Sequence, residues 1–353
     1  MKFYLIILLV VILYFSFIFI LRRETFFIKI GLSKLLVNET PIDRIMKTSL
    51  FPVKSPVYYN DPTIRIPSFF FYKPTFLSIN SDQGVCGSCW AFATCNVLTD
   101  RASIFTNGIF RKKLSVQQVI SCLKDGCDGG NPEDVFEWLV NNKIYTEDQY
   151  GYFQDETNDI STECSYFKPP PNKPESFNVL QDSIHAITQF TPEGKHDEEI
   201  LKNNIRNMKL ELILNGPFYA TINSYEDFVI FPGTEVYRYD HKGESQGGHA
   251  IEIVGYCEKN VDTRHGFGGF DEGYWICRNS WSKDWPRETK DKGYFAIVMG
   301  TNECGIESRC CRADLNIITQ ERPNRNISAY TDIKEFYNDL PPECSLNTNL
   351  SSE

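Results

Sequence analysis

Histidine is scarce in this chain, with five residues in 353, at positions 185, 196, 241, 249 and 265. Any general base of the imidazole kind must come from those five. Nothing in the chain calls for a metal or a cofactor. Positive charge is also in deficit: 36 Lys and Arg stand against 46 Asp and Glu, a formal net charge of -10. A nucleic-acid binder normally carries a basic footprint, so nucleic acid is set aside as a partner. The acidity fits an acidic compartment and equally a plain solubility role. No internal repeat is visible. Small residues are missing from the end of the one long apolar run, Phe3 to Leu21, which closes on Arg22 and Arg23. A cleaved signal needs Ala or Gly there.

Those nineteen residues (3–21) would nearly cross a bilayer core of ~30 Å. The run is read as an uncleaved membrane anchor; the alternative is a removed signal and a secreted protein. On the positive-inside rule alone, Arg22, Arg23 and Lys29 against Lys2 would leave the body in the cytosol. The cysteine usage and the acceptor triplets at Asn38, Asn326 and Asn349 argue instead for a lumenal or extracellular body.

What is present supports a sizeable core, with 42% hydrophobic and 14% aromatic residues. The length suits two domains or one two-lobed body. Residues 22–63 read as a pro-segment or linker, 64–316 as the body, and 317–353 as a flexible polar tail. Lys168-Pro-Pro-Pro-Asn-Lys-Pro174 is a stiff crossing, placing a seam near 170 between a mainly helical part and a mainly β part. Helices are expected over 89–105, from Ser115 to about 122 with an S-x-x-Q cap, from Asn131 with Pro132 in the first turn, and over about 197–214. Strand-like runs follow at 217–223, 234–239, 249–257, 273–279 and 293–299, with Gly-rich breaks at 243–248 and 266–273.

The chemistry centres on Asp82-Gln83-Gly84-Val85-Cys86-Gly87-Ser88-Cys89-Trp90. It reads as a glutamine, a tight turn, and a cysteine opening an apolar helix. A helix N-terminus carries about half a positive charge and favours a thiolate there. Gln83 can aim an amide at an oxygen beside the sulfur. A cysteine nucleophile needs a base, and the base an orienter. His249 follows two glycines at the mouth of a strong strand. Asn279 ends another strand and precedes Trp281, an indole able to shield an imidazole–amide contact from water. A lone histidine is usually structural; it is the order Cys89, His249, Asn279 that gives these three their weight.

Together these motifs resemble the papain family of cysteine proteases, and within it the cathepsin B branch. The likeness covers about 64–316. It rests on Gln83 with Cys86-Gly87-Ser88-Cys89-Trp90, Leu114 to Gln118 with Cys122, Cys127-Asp128-Gly129-Gly130, Asn215-Gly216-Pro217, Gly248-His249-Ala250 and Asn279-Ser280-Trp281; Tyr225 to Phe228 and Cys304 to Ser308 point to the branch. The resemblance implies an α+β fold of two lobes, one helical and one β-barrel-like, with a cleft between them. It implies Cys89 as nucleophile, His249 as base and acid, Asn279 as orienter, and Gln83 with the Cys89 amide as oxyanion hole. Gly129, Gly130, Gly248 and Trp281 would line the substrate path, and Glu307 would floor the S2 pocket. Disulfides Cys86–Cys127 and Cys122–Cys164 are implied, with Cys95 a buried thiol. Peptides are the implied substrates, and residues 22–63 the protein's own inhibitory propeptide, cut near 60–66.

Two departures stand out. The stretch 143–175, where an occluding loop would sit, holds no histidine, which favours endopeptidase over carboxydipeptidase action. Trp285 is followed by Pro286 and a lengthened segment to Gly293, which puts the S1′ side in question. The rivals are a silent papain-like binding module and a thiol–disulfide oxidoreductase built on Cys86-Gly87-Ser88-Cys89.

Overall fold

The computed structural model describes residues 59–336 except 60, 62, 124–125, 154–163, 165–174, 191–196, 260–272, 283, 287–292, 319–327 and 333. The apolar run 3–21, Asn38, Asn326, Asn349, the proposed propeptide up to residue 58 and most of 143–175 lie outside the described residues. Among the described residues no helix is long and apolar enough to cross a membrane.

Strand β1 (Phe69–Tyr72) opens the body with four buried aromatics. Helix α1 spans Cys89–Phe105, as its apolar spacing predicts. It is buried on every side, down to Thr99, Asp100 and Arg101, which is how a helix between two packed layers must be. Helix α2 (Val116–Cys122) starts at Ser115, whose hydroxyl accepts from the Gln118 amide at 3.1 Å. Helix α3 (Pro132–Asn141) has Pro132 in its first turn, with Glu133 and Asp134 at its positive end. Strands β2 (Ile144–Tyr145) and β3 (Ser176–Phe177) form a small ribbon. After β4 (His185–Ala186) comes helix α4 (Glu198–Leu214), capped by Asp197.

The remaining elements build one sheet: β5 (Phe218–Tyr225), β6 (Ser245–Cys257), β7 (Tyr274–Arg278), β8 (Tyr294–Val298), β9 (Cys310–Arg312) and β10 (Ala329–Tyr330), with the short helix α5 (Glu226–Val229) after β5. The order is β10-β1-β6-β5-β9-β4, with β7 pairing β6 and β8. Strand β6 is the long central member. It pairs with β5 through its first half and with β1 and β7 through its second.

Several expectations change. The sheet does not close among the described residues, so the second lobe is an open, eight-stranded sheet rather than a barrel. Residues 234–239 form no strand; Tyr237 makes a single bridge to Ile297. Residues 245–248 are not a break but the start of β6, because Gly247 and Gly248 pair with Ser224 and Asn223. The tail is not wholly free. Ala329 and Tyr330 pair with β1, and the Phe336 ring lies 5.5 Å from those of Phe71 and Tyr330.

The two cores also cross the expected seam. Phe69–Tyr72, from the N-terminal part, belong to the sheet core, while Ala313 and Leu315 join the helical core around Val97, Leu98 and Phe136. Each chain end reaches over to the other lobe. Tyr59 is already in the sheet core, and its hydroxyl donates to Glu211 Oε2 at 2.8 Å. Tyr59, expected in the pro-segment, thus packs against the body.

Candidate active site

Cys89 is the first residue of α1 and keeps part of its surface exposed. The carbonyl of Ser88 accepts from the amides of Ala91 and Phe92. The earlier amides of Cys89 and Trp90 face the sulfur instead, together with the amide of Ala250 from β6. Burial pushes the Cys89 thiol up, and these three donors pull it back toward ionisation.

Ala250 follows His249 on β6, so the imidazole is carried by the residue next to that donor. His249 Nε2 is 2.7 Å from Asn279 Oδ1. That oxygen also accepts from the Ser280 amide at 2.7 Å. It is therefore an acceptor, Nε2 carries the proton, and the lone pair of a neutral ring sits on Nδ1. Burial lowers the His249 pKa to about 4, with the Asn279 bond opposing. The ring is neutral at pH 5–7 and able to take a proton.

An aromatic wall dries this contact. The Trp281 ring lies 4.5 Å from that of His249, and Phe228 sits 5.4 Å from Trp281 and 5.1 Å from Trp285. The expected shielding role of Trp281 matches this placement. Phe228, from α5, was not foreseen as part of the wall; its only sequence signal is the branch motif that contains it.

Gln83 is held on three sides. Its Nε2 donates to Cys86 O at 2.9 Å, its Oε1 accepts from Ser280 Oγ at 2.6 Å, and its carbonyl accepts from Tyr152 Oη at 2.9 Å. The side-chain nitrogen has a second hydrogen to offer an incoming oxygen. Ser280 lies inside a recognised motif, but its bond to Gln83 was not foreseen. Tyr152 carries no sequence signal and reaches the site only through folding.

Cys86 is bonded to Cys127, and Cys122 to Cys164. Cys89, Cys95, Cys257, Cys277, Cys304, Cys310 and Cys311 keep their thiols and take part in no disulfide; Cys344 lies outside the described residues. With Cys86 engaged by Cys127, the pair 86/89 is no dithiol, and the oxidoreductase reading loses its basis. The same disulfide seats the glycine rim. A Cβ on Gly130 would stand 2.6 Å from the Trp90 ring, and one on Gly87 would stand 2.3 Å from Cys127 O. Gly248 is exposed beside His249.

Glu307 does not occupy the place expected of it. Its side chain has no exposed surface. Its Oε1 accepts from Trp275 Nε1 at 2.9 Å and the Gly300 amide at 2.7 Å, and its Oε2 from the Asn302 amide at 2.7 Å. A carboxylate so engaged ties a loop to the sheet and presents nothing to a substrate. The charge beside the glycine rim is Arg309. Its Nη2 donates to Glu133 Oε2 at 2.7 Å and to Asn131 Oδ1 at 3.3 Å, while its Nη1 is buried without a partner. The other histidines stand apart: His185 lies in β4 and the His241 ring meets that of Tyr239 edge-on, while His196 and His265 are outside the described residues. Among the described residues no cluster could hold a metal ion.

The chain matches the model of the papain family cysteine proteases over residues 73–313. It is 31% identical to cathepsin B-like cysteine proteinase 5 of Caenorhabditis elegans over 299 residues, 76% of this chain and 81% of that one. It is likewise 31% identical to a cathepsin B-like cysteine proteinase of Schistosoma japonicum, over 78% of this chain and 80% of that one. Among solved structures it is similar to procathepsin B S9 of Trypanosoma congolense, with a TM-score of 0.58, 25% identity, and coverage of 76% and 83%. A family match over residues 73–313, with 31% identity to cathepsin B-like relatives across three quarters of the chain, makes this chain a member of the papain family of cysteine proteases.

Proposed function

We propose that the chain is an active cysteine endopeptidase and that Cys89, His249, Asn279 and Gln83 carry its reaction. The observation that bears this reading is the 2.7 Å contact of His249 Nε2 with Asn279 Oδ1. It leaves Nδ1 as the basic nitrogen, on the strand whose next amide touches the sulfur. Burial favours the neutral form of each partner taken singly. Moving the thiol proton to Nδ1 creates two opposite charges in contact, at a helix N-terminus. The thiolate then attacks the scissile carbonyl carbon, and the new oxyanion takes hydrogen bonds from the Cys89 amide and Gln83 Nε2. Collapse breaks the C–N bond, with the amine leaving on the imidazolium proton. Water, deprotonated by His249, releases the acid and the free thiol.

Gly129, Gly130 and Gly248 would let an extended peptide lie close to the cleft wall. The missing histidines of 143–175 support internal cleavage over dipeptide trimming. Arg309, in place of Glu307, supports a preference for an acidic or polar side chain next to the glycine rim. Residues 22–63 are assigned to an inhibitory propeptide, and 3–21 to a membrane anchor with the body outside the cytosol. A glycosidase that leaves the mobility of the expressed protein unchanged would count against that topology.

The deciding experiment is an epoxide-type thiol reagent followed by peptide mapping, run beside a peptide-library digest at pH 5–7. Label confined to Cys89 and lost on denaturation, with internal cleavage, is the expected result. A folded, propeptide-free protein that neither takes label nor cuts peptides would make the chain a silent binding module.

A further inference from the structure

Behind the catalytic row lies a second constellation, with one member from each element that carries a catalytic residue. Asp100 is on α1 with Cys89, Glu252 is on β6 with His249, and Arg278 ends β7 directly before Asn279. Glu252 and Arg278 are cross-strand partners. The side chains of Asp100 and Arg278 have no exposed surface, and that of Glu252 almost none. Arg278 Nη2 lies 2.8 Å from Asp100 Oδ2 and also bonds Glu252 Oε2. Arg278 Nη1 donates to Ser78 O, and Asp100 Oδ1 accepts from Ser78 N, both at 2.7 Å. Glu252 Oε1 and Arg278 Nε are buried without hydrogen-bond partners.

One guanidinium cannot balance two carboxylates. The other groups facing this pocket are Arg101 on α1 and Tyr294, opposite Arg278 on β8. Arg101 is already engaged with Asp314 and Glu211, and a phenol brings no positive charge. A buried, uncompensated charge is far costlier than a neutral carboxyl. Burial raises both carboxyls while Arg278 pulls them down. With all three side chains closed to solvent, two ionised carboxylates against one guanidinium would leave a buried negative charge, which one proton on the pair would remove.

We propose that Arg278 is a positioning residue for Asn279, holding the Asn279–His249 bond through a proton shared by Asp100 and Glu252, and that loss of this proton sets the alkaline limit of the site. A carboxyl whose pKa is raised on folding binds its proton more tightly in the folded than in the unfolded chain. Stability from it is complete below the unfolded value of about 4.3 and is lost as pH rises toward the folded value. Its kinetic consequence rests on the peptidase reading above; the tests chosen need no turnover.

The test compares the full chain carrying Cys89→Ala, which cannot digest itself, with the same chain carrying Glu252→Gln or Asp100→Asn. Either substitution keeps the shape, leaves one carboxylate to pair with Arg278, and removes the shared proton. Melting temperature is followed from pH 5 to 8.5, together with the proton NMR signal of the His249 ring N–H bound to Asn279. The parent should lose several degrees relative to at least one variant across that range, and the ring signal of that variant should persist to a pH about one unit higher. Melting curves that run parallel for parent and both variants, or a ring signal that vanishes at the same pH in all three, would overturn the proposal. Should the wild type cleave no peptide at all, the peptidase reading fails, while these two measurements still decide the shared proton.

Discussion

Replacing Asn279 by alanine tests the catalytic geometry most directly. The amide oxygen takes a 2.7 Å bond from His249 Nε2 in a place where the two residues are 2% and 4% exposed. Water cannot readily substitute, because the Trp281 ring lies 4.5 Å from the imidazole. The bond matters most when the ring becomes an imidazolium, and hydrogen bonds to charged groups contribute about 1.5–3 kcal/mol. At 1.36 kcal/mol per factor of ten, kcat should fall roughly 10- to 150-fold. KM should change little, since Asn279 lies behind the imidazole and not on the substrate path. The same oxygen holds the Ser280 amide, so a stability loss of about 1 kcal/mol should accompany the change. The assay is kcat and KM on an internally quenched peptide, with competent sites counted by the thiol reagent. A variant that folds yet keeps kcat within about twofold, or loses only in KM, would refute the reasoning.

Gln83→Ala removes one oxyanion donor and should cost ~10²–10³ in kcat; single-turnover acylation would show the loss in the chemical step. Gly130→Ala would drive a Cβ to 2.6 Å from the Trp90 ring and should destabilise by about 1–3 kcal/mol, read as a lowered urea midpoint. Glu211 gives an acid-side prediction. Burial by itself would raise its pKa, but Arg312 and Arg101 outweigh that and hold it below the usual carboxylate value. Its contribution is present above the unfolded pKa of about 4.3 and is lost as pH falls through the folded value. Melting temperatures of Glu211→Gln and the parent should therefore converge as the pH drops below about 4; a constant gap would contradict the assignment. Peptides with Asp or Glu two residues before the cut should outpace those with Arg there, and Arg309→Ala should erase the difference in kcat/KM.

Helix starts were readable because their signals are local. Ser115 caps where its S-x-x-Q pattern predicts, and the glycine rim before α3 follows from the Gly-Gly pair. The open sheet was less readable. Strands β9 and β10 have three and two residues, too short for periodicity, and form only because partners β5 and β1 wait for them. The glycines at 247 and 248 look like a break by propensity, yet the ladder to β5 overrides it. Glu307 was misplaced for a similar reason: whether a carboxylate faces a cleft or a loop depends on which donors surround it, and those are Trp275, Gly300 and Asn302.

Residue identity and order alone marked out the proposed chemistry: a thiol at a helix start, one histidine behind glycines and one asparagine before an indole, while the two cysteine pairings were implied only by the family resemblance. These are covalent and short-range properties, carried by a few neighbours along the chain. Tertiary structure decided which charges are buried together, where Tyr152 and Phe228 reach the site, and that Arg309 rather than Glu307 flanks the glycine rim. Those outcomes depend on contacts between residues far apart in sequence, whose energies exist only once the two lobes have closed on α1.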